Sequence, residues 1–242
     1  MTAGKKNIDN NGIKLNHPKT TYDNEKGLKG LKARPEVFLN GLTGGIASGK
    51  TTVADILKEL GAYIVDFDLL AREIIEPGRR AFKEIVDYFG QKILCSDGHI
   101  DRKKLSRIVF SDHEKRKILE GFTHPPILDT FSKRVESIAL RGKPSVIIAV
   151  VPLLFELKLQ SLFNKTILVY IPAEEQLKRL ITRDKIEREE ALRIIQSQLP
   201  IDEKIDLADY LIDNHGNERA TRKEVESLWL KLKNLPSSAH PL

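Results

Sequence analysis

The stretch Val37-Phe38-Leu39-Asn40-Gly41-Leu42-Thr43-Gly44-Gly45-Ile46-Ala47-Ser48-Gly49-Lys50-Thr51-Thr52 decides how this chain folds. Gly44 and Gly49 enclose four residues and are followed by a lysine and a hydroxyl residue, the pattern of a loop that wraps phosphates. Val37, Phe38, Leu39 and Leu42 in front of it read as a strand and Thr52 to Leu60 behind it as a helix, so the loop stands where a phosphate loop must. A polyphosphate has to be surrounded by backbone N–H groups, and only residues with little side chain let the backbone come that close. The first turn of the helix adds unpaired N–H donors and the positive end of its dipole, Lys50 can reach the β and γ phosphates, and the Thr51 hydroxyl can ligate Mg²⁺. The expected ligand is a Mg-bound nucleotide.

Outward from this loop, Gly61 can stop the first helix, and Tyr63-Ile64-Val65 is a short β-favouring run ending at Asp66. Strand, loop, helix and strand begin a parallel α/β sheet. From Leu69 to Arg141 the pattern is helical: Ala71 to Glu76 stops at Pro77-Gly78, Ala81 to Phe89 stops at Gly90, and Asp101 or Ser111 can cap further helices. This reads as a helical insertion over about 69–141. Val146 to Val151 and Thr166 to Ile171 are continuous apolar runs of buried-strand length. Charged amphipathic helices fill 173–208, Tyr210-Leu211-Ile212 is a last strand, and Arg219 to Leu235 a closing helix.

Asp66 and Asp68 follow the second strand, and the carboxyl ends of parallel strands are where such sheets hold their ligands. Either carboxylate can accept a hydroxyl proton or direct Mg²⁺, and either can instead cap the helix that starts near Leu69. Lys178, Arg179 and Arg183 crowd one helix, with Arg179 and Arg183 four residues apart on one face, a cationic face or a solvated one. His124-Pro125 is placed between two helices of the insertion, where a histidine more often packs or caps than catalyses. No Asn-Lys-x-Asp follows, and the string after Val151 contains no Asp-x-x-Gly, which argues against a GTPase switch.

The 242 residues suffice for one core with an insertion. The single Cys95 excludes an internal disulfide framework, and the six histidines show no metal-ligand spacing. With no apolar run near the roughly 20 residues that span a bilayer, and no apolar N-terminal signal, a cytoplasmic protein with no membrane partner is expected. The net charge of +6 invites a nucleic-acid reading, yet residues 1–34 hold eight Lys/Arg against three Asp/Glu, leaving 32 against 31 elsewhere. The excess sits in a leader, 1–35, poor in apolar residues and expected to be disordered. One kinase domain is expected over 36–235, with a short tail at 236–242 and no nucleic-acid partner; nothing indicates an oligomeric state.

A series of strings in fixed order is similar to the dephospho-CoA kinase family: Leu42 to Val53; Val65-Asp66-Phe67-Asp68 with Ala71-Arg72; Glu76-Pro77-Gly78; Phe89-Gly90; Asp97-Gly98-His99-Ile100-Asp101-Arg102. It continues through Val109-Phe110, His124-Pro125, Val151 to Glu156, Gln176 to Leu180 with Arg183-Asp184, Gln198, and Ala208 to Gly216. The resemblance runs from about Val37 to Trp229. It implies a P-loop NTPase fold, a three-layer α/β sandwich around a mostly parallel five-stranded sheet, with the insertion binding CoA and 173–208 forming a helical lid. It also implies transfer of the γ-phosphoryl group of ATP to the ribose 3′-hydroxyl of dephospho-CoA, with ATP and Mg²⁺ as cofactors.

Carried over by position, Gly44, Gly45, Ala47, Ser48, Gly49, Lys50, Thr51 and Thr52 hold the ATP phosphates. Asp68 is the favoured base, with Asp66 next, Arg179 the lid arginine, and Arg102 and His124 substrate contacts. Asn214 lies near the adenine, and Thr51 and Asp66 serve Mg²⁺, directly or through water. Ala47 stands where the family commonly has a third loop glycine, a tolerable change if its φ is negative. Two rival readings remain: a kinase for another nucleoside or nucleotide, and a regulatory RNA-associated protein using the basic leader.

Overall fold

A computed structural model gives the structure and describes residues 37–141 and 145–234. The expected leader, the tail and Leu235 lie outside these residues. Val37–Gly44 forms β1, Lys50–Glu59 α1, Tyr63–Asp66 β2 and Phe67–Glu73 α2. Arg80–Phe89 is α3, Arg102–Phe110 α4 and His113–Ala139 α5. Ser145–Val150 is β3 and Lys165–Tyr170 β4. Ala173–Asp184 is α6, Arg188–Gln196 α7, Tyr210–Asp213 β5 and Glu218–Asn234 α8.

The strands pair in the order β2-β3-β1-β4-β5, and every pairing is parallel, where the sequence suggested mostly parallel. β1 lies in the middle, with Leu42 opposite both Val150 and Ile167. Its sequence alternates between two cores. Val37 and Leu39 join Ile147 and Ala149 on one face, whereas Leu42 joins Ile148, Val150 and Ile167 on the other. The second face is covered by α1 and α8 through Val53, Leu57, Val225 and Trp229. The first is covered by α5 through Phe131 and Val135 and by Leu154 and Phe163 after β3. Gly41 faces Leu154 and Phe163 so closely that a Cβ would stand 2.4 Å from Leu154 Cδ1.

Several element boundaries differ from expectation. α2 starts at Phe67, earlier than Ala71, because Asp66 accepts from the N–H groups of Asp68 and Leu69 and caps it. Asp101 caps α4 as expected, but Ser111 closes that helix at its C-terminal end, with its hydroxyl donating to Arg107 O, and Asp112 caps α5. His124-Pro125 is not between helices: α5 runs 27 residues through Pro125 and Pro126. A proline lacks the N–H for the helix ladder, and burial of the helix overrides that loss, since Leu128, Phe131 and Val135 beyond the prolines pack into the sheet's core. The C-terminal half of the expected insertion therefore belongs to the main body. A separate small core, around Ile85, Phe89, Ile93, Ile100 and Leu105, holds α3 and α4 together. The single Cys95 is free and exposed, and no described helix is long and apolar enough to cross a membrane.

Candidate active site

β1 delivers the chain to Gly44 at the carboxyl edge of the sheet, and α1 leaves from Lys50. Gly49 turns the corner with φ +89°, a left-handed conformation that glycine takes without strain. Gly45 is pressed against Gln176, whose Oε1 would be 2.2 Å from an added Cβ. The Lys50 ammonium folds back on its own loop, donating to Gly44 O at 3.0 Å and Gly45 O at 2.8 Å. Burial, and then the charge of Lys204, lower its pKa to about 8; Arg183 adds to the effect, and Asp68 and Glu156 oppose it. Ser48 is buried with its hydroxyl unpartnered, whereas Thr51 and Thr52 face outward on the first turn of α1. The loop thus offers glycine-lined backbone, a buried ammonium and outward hydroxyls to a phosphate group.

Ala47 departs from expectation. Its φ is +58°, not negative, so the alanine carries left-handed strain at a position where a glycine would carry none.

Asn214, expected near the adenine, is held by the protein's own hydrogen bonds. Its Nδ2 donates to Ser48 O at 2.8 Å, its Oδ1 accepts from the Thr221 hydroxyl at 2.7 Å, and its backbone N–H donates to Tyr170 O. Its carbonyl accepts from Arg179 Nη2 at 3.0 Å. Through these bonds Asn214 latches the phosphate loop to β4 and α8. Arg179 is tied to Asn214 O and to Glu175 at 3.1 Å, and Arg183 is likewise paired, with Asp184 at 2.7 Å. Arg183, one turn further along α6, is the arginine whose charge is felt at Lys50.

Asp66 spends Oδ1 on capping α2, so it is first a structural residue. Asp68 opens onto a cavity of about 460 Å³ between α2, α4, α5 and the segment after β3. Shielding by the walls and the negative charge of Asp66 raise its pKa, against the pull of Lys50, Arg102 and Arg72. Arg102 and His124 line the same cavity, beside Phe67, Leu105 and Leu153. Burial holds His124 below the ordinary histidine value, with Glu120 acting the other way. The sequence-derived pair Arg102 and His124, 22 positions apart, thus meet Asp68 in one space.

Helices α6 and α7 pack on the loop through a minimal core of Leu177, Leu180 and Ala191, which touches Ile46 and Ala47. Beyond it, Gln198 Oε1 accepts from the Ile46 N–H at 3.1 Å, and Lys204 is fully enclosed with its Nζ 2.7 Å from Glu156 Oε1. Glu156 and Gln198 stood in the strings quoted above, but neither they nor Lys204 was given a role. Only contacts across the chain mark them: Glu156 meets Lys204, 48 positions on, and Gln198 meets Ile46, 152 positions back.

A phosphate-wrapping loop on one side, an apolar-walled cavity on the other and a carboxylate at its mouth define a phosphate-loop kinase acting on a small molecule. A dephospho-CoA kinase family model matches residues 38–219. The chain is 46% identical over 193 residues to dephospho-CoA kinase of Carboxydothermus hydrogenoformans, covering 80% of this chain and 93% of that one. Among solved structures it is similar to TT1252 from Thermus thermophilus, with TM-score 0.69 and 31% identity over 80% of this chain and 96% of the other. It is similar as well to dephospho-CoA kinase from Campylobacter jejuni, with TM-score 0.55 and 31% identity over 81% and 98%. This chain belongs to the dephospho-CoA kinase family, whose reaction is the ATP-dependent phosphorylation of dephospho-CoA that completes coenzyme A synthesis.

Proposed function

We propose that in this reaction the chain seats the ATP phosphates on Gly44 to Thr52 and places the ribose 3′-hydroxyl of dephospho-CoA against Asp68. The observation that carries the reading is the position of Asp68 at the mouth of the cavity, within electrostatic reach of Lys50 on one side and Arg102 on the other. As the 3′-oxygen bonds to the γ-phosphorus, the bond from phosphorus to the β,γ-bridging oxygen breaks and ADP leaves. The hydroxyl proton passes to Asp68. Its raised pKa brings a carboxylate closer to the range in which it takes a proton at neutral pH. Little covalent chemistry is asked of the protein, so the rate comes from alignment and from charge on Lys50 and Arg183. Arg102 and His124 serve the acceptor in the cavity, and the apolar walls favour its less polar parts.

The residues fit a Mg²⁺ ion that arrives with the nucleotide. The Thr51 hydroxyl faces outward, and Asp66 has one oxygen outside its capping bonds. No group of three or more His, Cys, Asp or Glu among the described residues could hold a metal. Mg²⁺ typically keeps several waters and is held by one or two carboxylates and the phosphates. When bound it supplies positive charge to the β and γ oxygens. Residues 173–208 act as a lid that excludes water, without which ATP would be hydrolysed.

Release of ADP from MgATP is to be compared with dephospho-CoA, adenosine, AMP and no acceptor. Release with dephospho-CoA, giving a product of CoA mass, is expected, with turnover of Asp68→Asn reduced by orders of magnitude in a folded protein. Near-normal turnover in that variant removes Asp68 as the base, and release with another acceptor redirects the substrate assignment.

A further inference from the structure

Two adjacent residues outside the mechanism above are gripped by two different elements. α7 ends at Gln196, and Gln198 follows with its side chain on the phosphate loop, where Oε1 accepts the Ile46 N–H at 3.1 Å. The N–H of the next residue, Leu199, donates to Glu156 Oε1 at 3.1 Å. Glu156 lies in the turn that carries Leu153 and Leu157, both lining the cavity, with the Leu157 N–H donating to Leu153 O at 3.0 Å. The same carboxylate oxygen is 2.7 Å from Nζ of Lys204, which is fully enclosed on the 3₁₀ turn Asp202–Leu207. Within one stretch of chain, a side chain holds the phosphate loop, while a backbone N–H and a buried ammonium are held by the cavity wall.

Loop and wall are already joined by the sheet: the Val151 N–H donates to Leu42 O at 2.8 Å and the Thr43 hydroxyl to Pro152 O at 3.3 Å. The added bonds therefore bear chiefly on α7. Ala191 is the one buried residue of that helix, so little apolar surface holds it and the bonds at its C-terminal end carry much of its placement. A helix held this weakly retains conformational freedom, and a ligand that steadies it removes that freedom at an entropic cost. The second ligand meets a helix already ordered and binds more tightly.

We propose that Gln198 and Glu156 are positioning residues that make α7 a shared element of both sites, so that nucleotide on the loop and dephospho-CoA in the cavity each strengthen the binding of the other. The inference rests on the reading of the loop and the cavity as those two sites.

Calorimetric titration measures the Kd of MgADP with and without saturating dephospho-CoA, and of dephospho-CoA with and without saturating MgADP, a pair that binds without turnover. In the unaltered protein each ligand is expected to tighten the other at least about fivefold, by the same factor in both directions. Gln198→Met keeps the length of the side chain and removes the acceptor; the factor should fall below about twofold, with each Kd measured alone within about threefold of its unaltered value. The double variant Glu156→Met/Lys204→Met removes the other hold without leaving a buried charge unpaired and should lower the factor likewise. Tyr170→Phe is the control, because the Tyr170 hydroxyl donates to Asp202 Oδ1 at 3.0 Å, a bond from the same stretch of chain to neither the loop nor the cavity wall. Its loss should leave the factor intact. A factor retained in Gln198→Met or in the double variant, lost equally in Tyr170→Phe, or absent from the unaltered protein overturns the proposal. Failure of either ligand to bind the unaltered protein overturns the site reading and the proposal with it, a result distinct from two ligands that bind independently. Should the variants not fold, amide exchange in the unaltered protein decides: slowing of the Ile46 amide by dephospho-CoA alone, at least about threefold, supports the proposal, and an unchanged rate overturns it.

Discussion

Ala47 carries a cost written into one residue. At φ +58° an L-residue pays on the order of 1–2 kcal/mol, and glycine gives part of this back in lost chain entropy. Ala47→Gly is therefore expected to stabilise the protein by about 0.5–1 kcal/mol, read as a rise of about 1–4 °C in melting temperature. His124 supplies the pH dependence. Burial holds its folded pKa below 6.5, so the unfolded chain binds a proton before the folded one does as pH falls. Stability is complete above pH 6.5 and declines below it until the folded pKa is passed. His124→Gln should flatten this part of a denaturation-midpoint profile against pH; an unchanged slope would assign the acid loss elsewhere. Neither feature was legible in the sequence. The spacing around Ala47 does not state the sign of φ, and the string His124-Pro125 read as a break between helices where the core sustains one helix through two prolines.

At the scale of elements, the helices have unequal support. α1 and α8 share a broad core with the sheet, whereas α6 and α7 rest on Leu177, Leu180 and Ala191. Local opening free energy falls as buried apolar contact is reduced, and mobile lids are drawn from the weakly held end of that range. Amide exchange in α7 is expected to be at least about tenfold faster than in α1, and to slow when ADP and dephospho-CoA are both present. Equal protection in the free protein would mean that α7 is part of the rigid body. The amphipathic pattern of these helices was readable, but their small buried area was not, because it depends on how little of the loop they meet. The latch at Asn214 behaves in the same way. Its position after β5 was visible, while the three contacts that occupy its side chain and carbonyl come from Ser48, Thr221 and Arg179.

At the scale of the whole molecule, Asp68 lines the cavity and feels the charge of Lys50, with α6 and α7 packed on the phosphate loop and α2, α4 and α5 lining the cavity. A ligand at 100 times its Kd stabilises by about 2.7 kcal/mol. If both ligands order the same closed arrangement, the thermal shift with ADP and dephospho-CoA together should exceed the sum of the separate shifts. Strict additivity would mean that the two halves close independently. The sequence by itself determined the strand-loop-helix opening, the sheet's five strands and the family, because these rest on local spacing of apolar residues, glycines and a lysine that the chain displays in order. Tertiary structure alone decided that Asp66 caps while Asp68 faces the cavity, that Arg179 is bound to Asn214 and Glu175, and that Lys204 meets Glu156. Those outcomes depend on which side chains distant in the chain are brought within a few ångströms in a water-poor interior, where charge and hydrogen-bonding partners are set by packing and not by neighbours in sequence.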